Sequence, residues 1–294
     1  MPGFTLPLPV LADAWFPTKK KQIPHNFKPP MGKTAQDHYA MMYGHGAGKV
    51  KLFSGMPSAP SPYYWNASPN KAHKDSAKDV SESTKKFVHD ALDKFKQCVD
   101  MWKLQAEIKV NIMSVSGIGP PGSLKGPELK SLAPFSSWEG TLKEKNEKAY
   151  AKAVVEGTSK QWKAWQDKVM IPGLPFWPAF AAFPLATAPP MPNIPMPLIT
   201  CPSAMMAEMT MPKLRDAMAD ALDGGVKDKD EDKKHLAIFE TIAFPISLNF
   251  LLWLVMQQVM NLLGKGPIPT YAPPYVPVGP VVAGSEAMGK ALMA

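Results

Sequence analysis

Few residues in this sequence have the types and spacing that chemistry requires. The segment GHGAGKVK at 44–51 is similar to a phosphate-binding loop, which needs GxxxxGK followed by serine or threonine. Tyr43 stands where the first glycine of that motif is required, and Val50 follows Lys49. The segment therefore predicts a turn, and no nucleotide site is expected.

Metal binding and nucleophilic catalysis lack a motif as well. His38 and His45 lie seven residues apart beside Asp37, but no HxxxH or HExxH pair accompanies them. No GxSxG motif frames a serine. The remaining candidates are loop serines and a charge run, namely Ser54, Ser58, Ser61, Asp228, Asp230, Glu231 and Asp232. We expect no catalytic residue, no metal ligand, no cofactor-binding residue and no cofactor, so the chain is not predicted to be an enzyme.

Two cysteines, Cys98 and Cys201, stand in different contexts without a CxxC partner. This spacing predicts neither a zinc site nor a redox motif. Lone thiols of this kind are typical of small buried hydrophobic residues in a reducing compartment.

The charge balance limits the partners. Among 294 residues, 33 are basic and 25 acidic, which gives a net charge of +8. Arg215 is the single arginine, so the bidentate fork that reads guanine is nearly absent. Lysines alternate with acids in KEKNEK at 143–148. We expect no sequence-specific nucleic acid binding, and salt-sensitive contact with polyanions inside a capsid stays a third, weaker hypothesis.

Apolar periodicity predicts a mainly α fold, an irregular bundle of about four helices. The first two are long amphipathic helices within 76–170, expected over 76–113 and 137–170, the second with a capping box from Ser136 to Glu139. A shorter helix is expected within 204–223, with Thr210 as its N-cap. The fourth spans 235–263, and Gly264 is expected to end it, so that 204–264 forms one helical region.

Long proline-rich segments are expected to be extended arms and straps, since the sequence has 33 prolines. They are an arm at 1–75, a strap at 171–203, and a C-terminal strap and tail at 265–294. Strand pairing is not expected in the central strap, because proline cannot donate to a ladder. Large apolar side chains are the predicted anchors of these segments on neighbouring subunits: Trp15, Phe16, Phe176, Trp177, Phe180, Tyr271 and Tyr275.

The segment 241–264 has two interpretations, because its 24 residues include no charge. A bilayer core needs about 20 apolar residues, so a membrane-inserting or membrane-anchored protein is one hypothesis. Polar residues such as Asn249 and Gln257 are costly toward lipid and favour a buried helix between subunits. On that helix Leu252, Trp253 and Met256 are the predicted core contacts.

The straps VMIPGLPFWPAF (169–180), APPMPNIPMPL (188–198) and GKGPIPTYAPPYVPVGPVV (264–282) resemble accessory structural proteins of tailed-phage virions and contractile injection particles. The resemblance implies a non-enzymatic structural or assembly subunit of a large particle, with a tail or baseplate position preferred. Its partners would be copies of itself and other particle proteins, and its location the virion, assembled in the host cytoplasm. No signal peptide is expected, because three prolines interrupt the N-terminal apolar run and lysines follow it.

Overall fold

The amphipathic segments fold as helices, with small sheets between them. The computed structural model describes residues 7–19, 68–113, 116–176, 187–228, 230, 233–267 and 286–287. Those residues form eight α-helices: α1 Leu8–Lys19, α2 Ser68–Gln105, α3 Ala133–Ser136, α4 Trp138–Thr141, α5 Lys145–Gln166, α6 Met211–Ala221, α7 Gly224–Lys227 and α8 Lys234–Met256. The mainly α prediction therefore holds, with more and shorter helices than the four expected.

The chain divides into two units, Phe16–Phe87 and the remainder, which is Met1–Trp15 with Val88–Ala294. In the first of these, the described residues are the end of α1 and the first part of α2. The docking surface and the aromatic core described below belong to the other unit.

Ten short strands lie between the helices. They are β1 Glu107–Ile108, β2 Val110–Met113, β3 Ser116–Gly119, β4 Leu124–Lys125, β5 Ile171–Pro175, β6 Thr187–Pro192, β7 Met196–Pro197, β8 Gln258–Val259, β9 Leu263–Pro267 and β10 Glu286–Ala287. One four-stranded sheet has the order β10-β2-β3-β5, and the pairs β1–β4, β6–β9 and β7–β8 form two-stranded sheets. Every pairing is antiparallel.

An aromatic cluster joins α2, α5 and α8 in the core. Trp162 of α5 lies 5.1 Å from Trp102 and 5.5 Å from Trp253 between ring centroids, and Trp165 lies 5.0 Å from Phe250. Most of these pairs meet edge to face, which adds stabilisation beyond the buried area. The cluster therefore fixes α8 against two other helices.

Small residues let the helices approach closely. Gly157 of α5 faces the backbone of α6, where an added Cβ would lie 2.6 Å from the Met218 nitrogen. No side chain fits in that space, so glycine is required for this packing. Helix α6 in turn packs on α8.

Helix boundaries in the first half of the chain differ from the expectation. Helix α2 ends at Gln105, and the expected helix to 113 is replaced by β1 and β2. There Ile108, Val110 and Ile112 are buried while Lys109 is exposed, which is the period-two pattern of a strand. The second helix breaks at 142–144 into α4 and α5.

The expected caps are also partly wrong. The N-cap of α4 is Ser137, which makes no side-chain cap bond, so the box from Ser136 is wrong. Thr210 is the N-cap of α6 as expected, but its hydroxyl donates to the Ala207 carbonyl instead of capping the helix.

The proline-rich segments are more regular than expected. Residues 8–19 of the predicted arm form α1, and most of the rest of that arm lies outside the described residues. The strap at 171–203 forms β5, β6 and β7, so the expectation of no strand pairing is wrong. Among the described strands, β6 pairs with β9 alone, and its register shifts between Ala188 and Met191, where two prolines stand. Proline is tolerated there because an edge strand needs donors on one side only.

Candidate docking surface

From Thr241 to its end, helix α8 carries no charged side chain on either face, and its inward face packs in the core. Ile242, Ile246, Phe250, Trp253 and Leu254 are each at most 1% exposed. Helices of globular proteins normally carry a polar face toward solvent, whereas a helix that is apolar all round is normally buried all round. The outward face of α8 is therefore an unusual surface among the described residues.

The first part of the outward face is covered within the chain. Trp15 of α1 stacks on Phe244 of α8, with ring centroids 4.3 Å apart and planes 14° from parallel. Helix α1 is held in turn by its Asp13 carboxylate, 2.7 Å from the His89 ring on α2. An apolar helix already packs against this face near its N-terminal end.

The second part of the outward face is exposed. Its five apolar side chains follow the helical spacing i, i+3, i+4, i+7 and i+8, and we call them the outward stripe: Leu248 (38% exposed), Leu251 (50%), Leu252 (38%), Val255 (57%) and Met256 (50%). Together they expose roughly 400 Å² of mostly apolar surface, which is within the size range of the largest apolar patch on an ordinary monomer, and such a patch is often functional. The outward stripe is the candidate functional site.

The end of the stripe is fixed by the strap. The Gln257 N–H donates to the Trp253 carbonyl at 2.7 Å and its carbonyl accepts from the Leu198 N–H at 2.7 Å, so α8 ends at Met256. The expected helix to 263 and the C-terminal role of Gly264 are therefore wrong, and Gly264 lies in β9. Close contact of Gly264 with Phe176 leaves no space for a side chain.

Asn193 joins the strap to the segment after α8. Its Nδ2 donates to the Val259 carbonyl at 3.0 Å and the Ile194 carbonyl at 2.8 Å, and its Oδ1 accepts from the Leu262 N–H at 2.9 Å. The side chain is 4% exposed, so these bonds form away from water. Within the described residues, these bonds therefore attach the strap to the segment of its own chain that follows α8.

Asp230 fixes the start of α8. Its Oδ2 accepts from the His235 N–H and from the His235 ring, each at 2.6 Å. Partial burial alone would raise the pKa of Asp230, but hydrogen bonds from the His235 and Lys234 N–H groups and from the His235 ring lower it below its ordinary value. Burial, and secondarily the charge of Asp230, raises the pKa of nearby Tyr150 to about 12. This carboxylate at a helix N-terminus has a clear structural role.

The two cysteines are both buried and unpaired with each other. Burial raises the pKa of the Cys98 thiol to about 12 and of the Cys201 thiol to about 11, so both are unreactive near neutral pH. Within the described parts of the chain, no cluster of three or more metal-ligating side chains occurs. His38, His45, Ser54, Ser58 and Ser61 lie outside those parts.

An open groove of about 320 Å³ lies beside α5, lined by Glu128, Lys130, Glu156, Ser159, Lys160 and Lys163. Lys130 pairs with Glu128 at 3.1 Å, and Lys163 pairs with Asp167 at 3.4 Å. These are exposed ion pairs of the kind that line a solvated surface, and they neutralise most of the charge within the groove.

The predicted interaction residues fall into three groups. Trp253 and Phe176 are each 1% exposed inside their own chain, and Trp15 stacks within it. Leu252 and Met256 lie in the outward stripe. Phe16 lies in α1, while Trp177, Phe180, Tyr271 and Tyr275 lie outside the described residues.

Three stripe residues were missed from the sequence: Leu248, Leu251 and Val255. Their helical spacing is visible in the sequence, but the inward face has the same spacing and composition, so neither face stands out. Only the packing of α8 distinguishes them.

Among the described helices, α8 alone is long and apolar enough to cross a bilayer, by length and composition, and 56% of its most apolar window is buried. The chain matches no protein-family model, no curated protein and no solved structure. Function is therefore inferred from the outward stripe and its surroundings.

Proposed function

We propose that this chain is a non-enzymatic structural subunit of a larger assembly, of the class found in phage tails and baseplates, and that the outward stripe docks on another protein. The exposed stripe on an otherwise buried apolar helix is the observation that supports the proposal. Its placement in a virion comes from the resemblance of the proline-rich straps.

The geometry favours docking on a protein over insertion in a membrane. The stripe from Leu248 to Met256 extends about 12 Å along the helix axis, whereas a bilayer core is about 30 Å thick. A full span by α8 would also remove Phe250 and Trp253 from the aromatic cluster. Burial of those rings stabilises the fold by several kcal/mol, so insertion would lose the contacts that α8 makes in the core.

The role of the central strap changes in this proposal. The notion of an arm that clasps a neighbour loses support for 187–197, because those residues pair with 258–267 of their own chain. The strap instead supports the end of α8 and thereby the stripe. The predicted arm anchors at Trp177, Phe180, Tyr271 and Tyr275 stay part of the proposal.

The test is the mass of the full chain by sedimentation velocity without detergent, over a range of concentrations. We expect reversible association that Leu251→Asp abolishes, because a carboxylate at the centre of an apolar contact would be buried without a partner. Leu104→Asp is the matched control, since Leu104 is 62% exposed and belongs to α2 instead of the stripe. Equal masses for wild type and Leu251→Asp at every concentration would contradict the proposal.

The membrane alternative is tested by flotation with vesicles of phosphatidylcholine and phosphatidylglycerol. We expect the chain to stay in the unbound fraction. Flotation that Leu251→Asp abolishes and Leu104→Asp preserves would overturn protein docking in favour of lipid binding.

A further inference from the structure

We infer that the outward stripe binds the outward stripe of a second copy of this chain, with the two α8 helices antiparallel about a two-fold axis near Leu252. The inference rests on the proposed function and names the partner of the same surface. Three features support it: the symmetry of the stripe, the absence of charge along residues 241–264, and the position of α1.

The stripe can pair with itself in register. Leu252 lies midway between Leu248 and Met256, so a two-fold axis there places Leu252 opposite its own copy and Leu248 opposite Met256. In such an isologous contact, the same patch serves both partners. Rows of side chains four residues apart also form the ridges that interlock in the commonest helix packing.

The net charge of +8 on the chain does not oppose this contact between two stripes. Residues 241–264 include no acidic or basic side chain. Eleven residues on one side of Leu252 and twelve on the other are therefore uncharged, and no like charges on α8 meet near the axis. A heterologous partner with a charged surface would instead leave its charges desolvated against the stripe.

Helix α1 selects the antiparallel arrangement. It covers the outward face at Phe244, just before the stripe begins. In a parallel pair, the two copies of α1 would meet at the same end and hold the stripes apart. In an antiparallel pair, each α1 lies beyond the C-terminal end of the partner's α8, and the helix dipoles oppose favourably.

The size of the stripe sets the strength of the contact. Two stripes would bury about 800 Å² in total, which is below the 1,200 Å² or so of a stable complex and within the range of transient ones. We therefore expect a dimer that dissociates on dilution. Contacts of this strength are useful in a particle in which each subunit makes several of them at once.

The experiment is disulfide crosslinking of the full chain carrying Leu252→Cys, with copper–phenanthroline as oxidant. The native thiols are buried and have raised pKa values, so the introduced thiol is the reactive one. We expect disulfide-linked dimer in at least about tenfold excess over the Leu104→Cys control, because pairing raises the effective concentration of the two thiols. A mixture of Leu248→Cys and Met256→Cys chains should also crosslink.

Three outcomes would overturn the inference. Crosslinking of Leu248→Cys with itself as readily as Leu252→Cys indicates a parallel pair. A Leu252→Cys thiol that resists both oxidation and alkylation in a monomer indicates that the chain covers its own stripe. Association that depends on Leu251 in sedimentation, without crosslinking at Leu252, leaves the proposed function standing and rejects this partner geometry. Failure of the proposed function itself would give a different result, namely no association that depends on the stripe.

Discussion

The two faces of α8 are alike in sequence and opposite in environment. Phe250 and Trp253 on the inward face are each 1% exposed, whereas Leu251 and Val255 on the outward face are 50% and 57% exposed. The two sets alternate along the same turns of one helix. Apolar composition therefore makes this helix stable in the core, but it does not determine how many of its faces the chain itself covers.

The two faces of α8 therefore make different energetic contributions, the inward face to folding and the outward face to association. The inward face contributes to the free energy of unfolding, because its side chains leave water when the chain folds. The outward face contributes little to folding and becomes important only on association. Substitutions on the two faces should thus change different measured quantities.

The largest effect is expected for Trp253→Ala on the inward face. The substitution removes contacts with Trp102, Trp162 and Phe250 and leaves a cavity among aromatic rings. We expect a loss of about 3–5 kcal/mol in the free energy of unfolding, measured by urea denaturation followed by circular dichroism. A loss below about 1 kcal/mol would mean that the cluster is not packed as described.

The next effect is expected for Asn193→Ala, which unlinks the strap from the segment after α8. The substitution leaves the buried Val259 carbonyl and Leu262 N–H without their side-chain partner. We expect a loss of about 2–4 kcal/mol, because each buried polar group without a partner costs about 1–3 kcal/mol.

The matched control for the strap is Thr200→Ala. This substitution removes an exposed hydrogen bond to the Pro197 carbonyl, so a change below about 0.5 kcal/mol is expected. If the two variants lose stability equally, the strap is not held by Asn193.

The sequence predicted the amphipathic helices best, because one charged face makes their periodicity visible. Helices α2 and α5 are examples, in which lysines and acids alternate with the buried Phe95 and Trp162. The alternation from Ile108 to Ile112 is also visible in the sequence, but the helical period that runs through Trp102 continues into the same apolar residues. A period of two over only a few residues is easily absorbed in a long helical pattern.

The strand pairing of the strap could not be predicted from its composition. Whether a proline interrupts a ladder depends on which side of the strand has a partner, and this depends on the tertiary fold. The outward stripe was unpredictable for a related reason. Whether an apolar face is exposed depends on how much neighbouring chain packs on it, and α1 packs on the part of this face near Phe244.

A smaller loss of stability is expected for Asp230→Asn. This substitution acts at the start of α8, so it does not distinguish the two faces of the helix. The folded pKa of Asp230 is lowered, so its contribution to stability is present above the ordinary pKa near 3.8 and is lost as the pH falls through the folded value. We expect Asp230→Asn to cost about 1 kcal/mol at neutral pH, as for a lost helix cap. The cost should shrink in acid, measured by urea midpoints between pH 7 and pH 3. A cost that is constant over this range would exclude a role for the carboxylate charge.

The smallest effect on folding is expected for Val255→Ala on the outward face. Val255 is 57% exposed, so removing two methyl groups changes little buried area in the monomer, and alanine favours the helix slightly more than valine. We expect a change below about 0.5 kcal/mol in the free energy of unfolding at low chain concentration, where the monomer predominates. At high concentration the same variant should associate more weakly than wild type in sedimentation velocity.

A loss of stability comparable to that of Trp253→Ala, already present in the dilute chain, would mean that the outward face is packed within the monomer. Both faces of α8 would then belong to one core, and the stripe would not be a docking surface.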